Sequence, residues 1–266
     1  MLVDTHCHIH DSREYGEHQQ AAYEASVNAN VAMICVGTDT HSSGEAVQFS
    51  KTHALAWPVI GVHPHNAAEG FESIAQLLID EKQSIIGIGE IGLDYHYHHS
   101  SEKAQQRVLE AQMQLAVDNN LPISFHVRDA FDDFWPIFDN FHGIRGVLHS
   151  FTDTPQNAEK GLARGLYLGV NGISTFTKDA AQAQFFTAIS PANMVLETDA
   201  PYLTPKPFRG KMNIPAYVEN VAEYHAHARG IPYESLAHTT TANAVALFGV
   251  NFSELDRLQP DPVTAD

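Results

Sequence analysis

Eight short runs of β-branched and aliphatic residues recur along this chain, with helical segments between most of them. The runs are Leu2–Thr5, Ala32–Val36, Pro58–Val62, Ile85–Ile91, Pro122–His126, Gly146–His149, Leu166–Val170 and Met194–Glu197. The intervening stretches are amphipathic and rich in Ala and Gln, as in Ser101–Asn120, Thr154–Arg164 and Ala180–Ala188. Strands that alternate with helices imply parallel βαβ units. Eight such units in a chain of 266 residues fit a closed (β/α)8 TIM barrel. The competing arrangement, an open doubly wound sheet, is favoured by a G-x-G-x-x-G turn after the first strand. Here the first strand ends in His6-Cys7-His8 instead.

Local signals support this division. Ser100 or Ser101 can cap a helix beginning at Glu102, and Asn119-Asn120 before Pro122 ends it. Thr154-Pro155 pairs a capping residue with a first-turn proline. The chain is 44% hydrophobic, enough for one large core. One domain is expected over residues 1–252, followed by a polar tail, 253–266, that frays. No apolar stretch is long enough to span a membrane, and no secretion signal opens the chain. Cys7 and Cys35 read as buried free thiols, too few for a structural zinc cluster. A cytoplasmic protein with no obligate partner, a monomer, is the expectation.

Formal net charge is −17, from 15 Lys+Arg against 32 Asp+Glu. This argues against a broad nonspecific grip on a polyanion, which relies on many Lys and Arg contacts. A small phosphate-bearing end is compatible with it. Of the 17 histidines, His225 and His227 lie on a polar helical stretch and read as solvated. Tyr95-His96-Tyr97-His98-His99 reads as a surface loop.

Chemistry concentrates where the apolar runs end. Alternate residues on a strand share a face, so His6 and His8 can reach one metal ion. Glu90, His126, His149 and Asp199 each close a later run. A parallel barrel assembles its catalytic site from several strand ends in this way. A His/carboxylate set without thiolate looks catalytic rather than structural. Six ligands exceed the needs of one four-coordinate ion, and two ions bridged by a carboxylate use them well. Glu90 is the natural bridge, since its glycine neighbours leave room for an ion. Asp199 is placed to touch an ion and take a proton from water. Taken singly, each residue has a plainer role: a hydrogen-bonded core histidine, a buried salt-bridge partner for Glu90, a turn residue for Asp199. Six polar residues buried at strand ends for unrelated reasons would each carry a desolvation cost. Arg128, two after His126, suits either a phosphate oxygen or a salt bridge with Asp129 or Asp94. His63 and His65 read as substrate contacts or partners of ligands, with His63 the better placed.

Taken in order, Asp-Thr-His-Cys-His, Gly-Val-His-Pro-His, Gly-Glu-Ile-Gly-Leu-Asp-Tyr, His-Val-Arg-Asp-Ala, His-Ser-Phe and Glu-Thr-Asp-Ala-Pro-Tyr-Leu closely resemble the TatD family of metal-dependent deoxyribonucleases. The likeness runs from Leu2 to about Phe248. It takes in Gln105-Gln106, Gln112, Arg209-Gly210-Lys211, Asn213 and Pro215. The resemblance implies an amidohydrolase-like (β/α)8 barrel that hydrolyses phosphodiester bonds in DNA, often from a 3′ end of a single strand. It implies that His6, His8, Glu90 and Asp199 hold one ion and that Glu90, His126 and His149 hold the second. Asp199 would be general base, and His63 and Arg128 would meet the phosphate. The histidines suit zinc or manganese, while nucleases of this type often use magnesium. The chain departs from the family pattern at His10, commonly acidic, and at Ile214, commonly Glu. Both are expected near the mouth of the site. The metal set alone fits equally a hydrolase of small amides or esters, or a noncatalytic metal-binding protein. Arg128 with Arg209 and Lys211 leans toward phosphate.

Overall fold

A computed structural model of the chain describes residues 1–250, so the polar tail expected at 253–266 lies outside the described residues. Eight strands form one sheet in sequence order: β1 Leu2–Cys7, β2 Val31–Val36, β3 Ala56–Ile60, β4 Gly87–Asp94, β5 Ile123–Arg128, β6 Gly146–Leu148, β7 Tyr167–Val170 and β8 Met194–Leu196. Every neighbouring pair is parallel. A parallel bridge between Cys7 and Ala200, just past β8, brings the last strand back to the first. Asp4 pins that seam from inside: its carboxylate accepts from the Thr198 amide at 2.8 Å and the Thr198 hydroxyl at 2.5 Å. The eight-stranded barrel expected from the alternation is the observed architecture.

The helices start and stop where side chains satisfy their free backbone groups. Ser101 accepts from the Ala104 amide at the start of Glu102–Asn119, and Asn120 ends that helix in the left-handed conformation. Thr154 caps Pro155–Ala163, with Pro155 in the first turn. Against the outer strand faces, helix Phe131–Phe138 lays Phe134 edge-on to Phe125 of β5, ring centroids 5.2 Å apart. At the opposite end from the strand C-termini, Val3, Ile34, Val59, Val147 and Val195 meet Leu247 and Phe248 of the last helix, Tyr233–Phe248.

Two expectations fail here. His225 is fully buried rather than solvated. It occupies the apolar stripe Val218, Val221, Ala222, His225, Ala226 of helix Val218–Arg229, and its ring is satisfied by the Ser174 hydroxyl at 2.8 Å and by Arg229. Burial and the neighbouring guanidinium push its pKa down to about 3, so it stays neutral. The glycines of β4 do not make room for an ion. A Cβ on Gly61 would lie 2.7 Å from the Gly89 backbone, and one on Gly92 would collide with the His126 carbonyl. They let β3, β4 and β5 approach one another, and the side chain of Glu90 goes where those strands end.

Candidate metal centre at the mouth of the barrel

Five histidines and two carboxylates converge at the C-terminal rim. His6 and His8 come from the end of β1, and Glu90 and His126 stand on β4 and β5. His149 follows β6, His63 follows β3, and Asp199 follows β8 in a left-handed backbone position. Each ring has one nitrogen tied to the protein. His6 Nδ1 lies 3.1 Å from Ser124 Oγ, and His8 Nδ1 donates to the Val36 carbonyl at 2.8 Å. His63 Nδ1 accepts from the His65 amide at 3.1 Å. His126 uses Nε2, 2.9 Å from Asp94 Oδ2, and His149 Nδ1 lies 3.0 Å from Glu197 Oε1.

The other five nitrogens share one target. His6 Nε2 is 3.3 Å from Glu90 Oε2, and His8 Nε2 is 3.3 Å from Asp199 Oδ1. His63 Nε2 is 3.6 Å and His126 Nδ1 2.8 Å from Glu90 Oε1. His149 Nε2 stands between the carboxylates, 3.7 Å from Asp199 Oδ1 and 3.8 Å from Glu90 Oε1. His6 and His149 stack face to face at 3.4 Å between centroids.

Charge is unevenly shared in this set. Burial resists ionisation of Glu90, yet His63, His6 and the His126 hydrogen bond outweigh it and hold its pKa well below the usual carboxylate range. Burial is likewise overcome at Asp199 by His149 and the His8 contact, and its pKa is lowered. Burial pulls down on His126 too, but Asp94 and Glu90 raise it to about 9. Glu197 and Asp199 do the same for His149, to about 10. Burial and the neighbouring cationic rings lower His6 and His63. Packed rings cannot all carry protons, so the His6 and His63 nitrogens remain lone-pair donors. His6 Nε2 is buried without a hydrogen-bond partner among the described residues, as is His149 Nδ1, whose contact with Glu197 is an ion pair.

This donor set fits divalent cations. Ligating histidines characteristically fix one nitrogen by a carboxylate or carbonyl and present the other. Ligand atoms lie mutually within 4.8 Å in three overlapping groups: His6, His8 and Glu90; His6, His149 and Asp199; His63, Glu90 and His126. Glu90 is common to two of them, the position of a bridge. These groups place His149 with His6 and Asp199, and His63 with Glu90 and His126, while His149 Nε2 is also 3.8 Å from Glu90 Oε1.

Asp94, read from sequence only as a possible salt-bridge partner of Arg128, and Glu197, given no role there, are both buried. They lie within the strand-end motifs, and a carboxylate beside a ligand candidate was the available signal. The Val36 carbonyl has no side-chain signal at all. Arg128 makes no ion pair with Asp129 or Asp94. Asp129 lies 2.9 Å from His96, while the Arg128 guanidinium stands 5.0 Å over the Tyr97 ring. His65 Nε2 is 3.2 Å from Asp94 Oδ2. Arg209 is committed to the Thr204 carbonyl at 2.8 Å and to the face of Phe176. His10 is buried 3.1 Å from Ser42 Oγ with its ring 6.3 Å from that of His8, and Ile214 packs against the cluster that holds Cys7, Ile9 and Tyr15.

Comparison with known proteins agrees with this geometry. A family model described as TatD related DNase matches residues 3–249. The chain is 32% identical over 243 residues to a protein of Escherichia coli K12 named 3′-5′ ssDNA/RNA exonuclease TatD, covering 87% of this chain and 91% of that one. It is 33% identical over 257 residues to an uncharacterized metal-dependent hydrolase, YabD, of Bacillus subtilis, covering 94% and 100%. Among solved structures, a TatD homologue from Escherichia coli K12 shares the fold with a TM-score of 0.86 at 24% identity, over 94% of this chain and 98% of that one. With the family model spanning nearly all of the described residues and relatives above 30% identity matching over most of their length, the chain belongs to the TatD-related DNase family.

Proposed function

We propose that this chain is a divalent-metal-dependent phosphodiesterase that removes nucleotides from the 3′ end of single-stranded DNA, with two ions held at the barrel mouth. The observation that carries the reading is the aim of the rings. Five histidines, each anchored through one nitrogen, turn the other toward Glu90 and Asp199. His6, His8, Glu90 and Asp199 would hold one ion, and Glu90, His126 and His149 the other, with His63 close to the second. Bound there, divalent cations supply Lewis acidity toward a phosphoryl oxygen and lower the pKa of water to near neutrality.

The remaining work falls to the protein. The Asp199 carboxylate, held ionised by His149 and His8, accepts the proton of the attacking water at an Oδ oxygen. Arg128 offers a guanidinium with no carboxylate partner among the described residues, suited to two oxygens of one phosphate. Asp94 and Glu197 keep His126 and His149 oriented. The direction of digestion and the single-stranded preference rest on the activity named for the Escherichia coli relative.

The test uses single strands labelled at the 5′ end, with a free or blocked 3′ end, incubated with Mg²⁺, Mn²⁺ or EDTA. A metal-dependent ladder shortening from the free 3′ end is expected. Full digestion in EDTA, or none of any strand with either metal, contradicts the reading.

A further inference from the structure

One exposed aromatic stands beside the centre, outside the hydrophobic core. Tyr95 and Tyr97 follow β4 two residues apart and behave oppositely. The Tyr95 hydroxyl is anchored, donating to Asp133 at 2.8 Å and accepting from Gln106 at 2.8 Å. The Tyr97 ring is 45% exposed, and its hydroxyl has no partner among the described residues.

The backbone that carries Tyr97 is nevertheless fixed. Asp94 Oδ1 accepts from the amides of His96 at 3.0 Å and Tyr97 at 2.9 Å. The other oxygen of that carboxylate holds His126, one of the converging rings. Gln105 clamps both ends of the loop, donating to the carbonyls of Asp94 and Ser100 at 3.0 Å each. One buried carboxylate thus ties the exposed ring rigidly to the centre. Around Tyr97 stand His96 edge-on at 4.6 Å, His65 edge-on at 5.7 Å, His99 stacked at 5.9 Å and the Arg128 guanidinium over the ring at 5.0 Å. A rigid, exposed aromatic ring with a cation at its face is what a single strand uses: a base stacks on the open part of such a ring whatever its sequence, and the cation takes the backbone. The other exposed tyrosine at the mouth, Tyr202, is edge-on to His8 at 6.2 Å, and its hydroxyl meets Glu14, which repels a phosphate chain.

We propose that Tyr97 is a stacking platform for the base of the nucleotide next to the scissile phosphate, so that binding depends on an unpaired base as well as on a phosphodiester. The proposal rests on the nuclease reading above. It makes Tyr97 a positioning residue: it sets how tightly a strand is held and leaves the chemical step alone.

Two readouts separate its failure from that of the nuclease reading. The first is binding in EDTA of an oligonucleotide carrying 2-aminopurine next to its 3′ terminus, followed by fluorescence, which needs no turnover. Stacking predicts strong quenching with the wild type, quenching retained in Tyr97→Trp and Tyr97→Phe, and a dissociation constant raised roughly tenfold in Tyr97→Ala. The second is digestion of a normal strand against one with abasic residues at the same positions. The wild type should show a KM roughly tenfold higher on the abasic strand. Tyr97→Ala should treat the two alike, with kcat unchanged on the normal strand. Tyr202→Ala should keep the wild-type difference. A Tyr97→Ala protein that quenches and discriminates like wild type overturns the platform. So does one that loses equally on both strands. Absence of digestion by the wild type overturns the nuclease reading, and the quenching result still decides the platform.

Discussion

At the floor of the barrel, Val3, Ile34, Val59, Val147 and Val195 close against Leu247 and Phe248. At the mouth, the same barrel ends in His6, His8, Glu90, His126, His149 and Asp199. Both ends are buried, but they are held in different ways. The floor gains from removing apolar surface from water, which needs no direction, so any well-fitting hydrophobic set serves. With His63, the mouth holds seven ionisable side chains, five buried and two half-buried, and each needs a particular partner. That is why a second layer exists there and not below: Asp94, Glu197, Ser124 and the Val36 carbonyl each fix one ring. The floor supplies stability, and the mouth holds polar groups in a geometry that suits a divalent cation.

The contrast is broken most sharply at Asp199. Asp199→Asn should lower single-strand hydrolysis by about 10²–10⁴-fold, with the melting temperature within a few degrees of wild type. Phe248→Ala should do the reverse, costing about 3–5 kcal/mol in urea unfolding while the folded fraction keeps its KM. A floor substitution that abolished catalysis without unfolding would end the division of labour. Next come the supporting carboxylates. Asp94→Asn and Glu197→Gln should each weaken metal binding by about 10–100-fold, read by competition with a chelator, and neither should change the floor.

A smaller effect sharpens the electrostatic side. In the metal-free protein, burial depresses His126 and His149, but their carboxylate partners raise them to about 9 and about 10, so both carry a proton at pH 7. A cation that takes His126 Nδ1 and His149 Nε2 must displace those protons. Burial lowers His8 as well, but Asp199 raises it above the ordinary histidine value, so calorimetry in buffers of different ionisation enthalpy should show at least two protons released per protein at pH 7. The number should fall toward zero as pH rises through 9 and 10, where the rings are already neutral. Release that does not vary with pH would mean the rings are not the ligands.

Much of this was legible because the barrel writes its site into strand ends. A polar residue closing an apolar run is visible in one dimension, and all six ligand candidates found that way meet in space. Helix Glu102–Asn119 was equally plain, since its capping serine and closing asparagines are local signals. What failed was relational. His225 looked solvated because its neighbours in sequence are polar, yet its helical stripe places it inward against Ser174. The β4 glycines suggested space, but that space belongs to the backbones of β3 and β5. The carboxylate partner read for Arg128 is absent among the described residues, and no residue spacing points to the Tyr97 ring beneath its guanidinium. The Val36 carbonyl could not have been found at all, because every residue has one.

The most direct test is a crystal soaked in Mn²⁺, with diffraction recorded at the manganese absorption edge. The account predicts two anomalous peaks at the mouth, both in contact with Glu90, one also within reach of His6, His8 and Asp199 and the other of His126 and His149. Absence of a peak among these residues, or manganese bound only elsewhere on the protein, would contradict it.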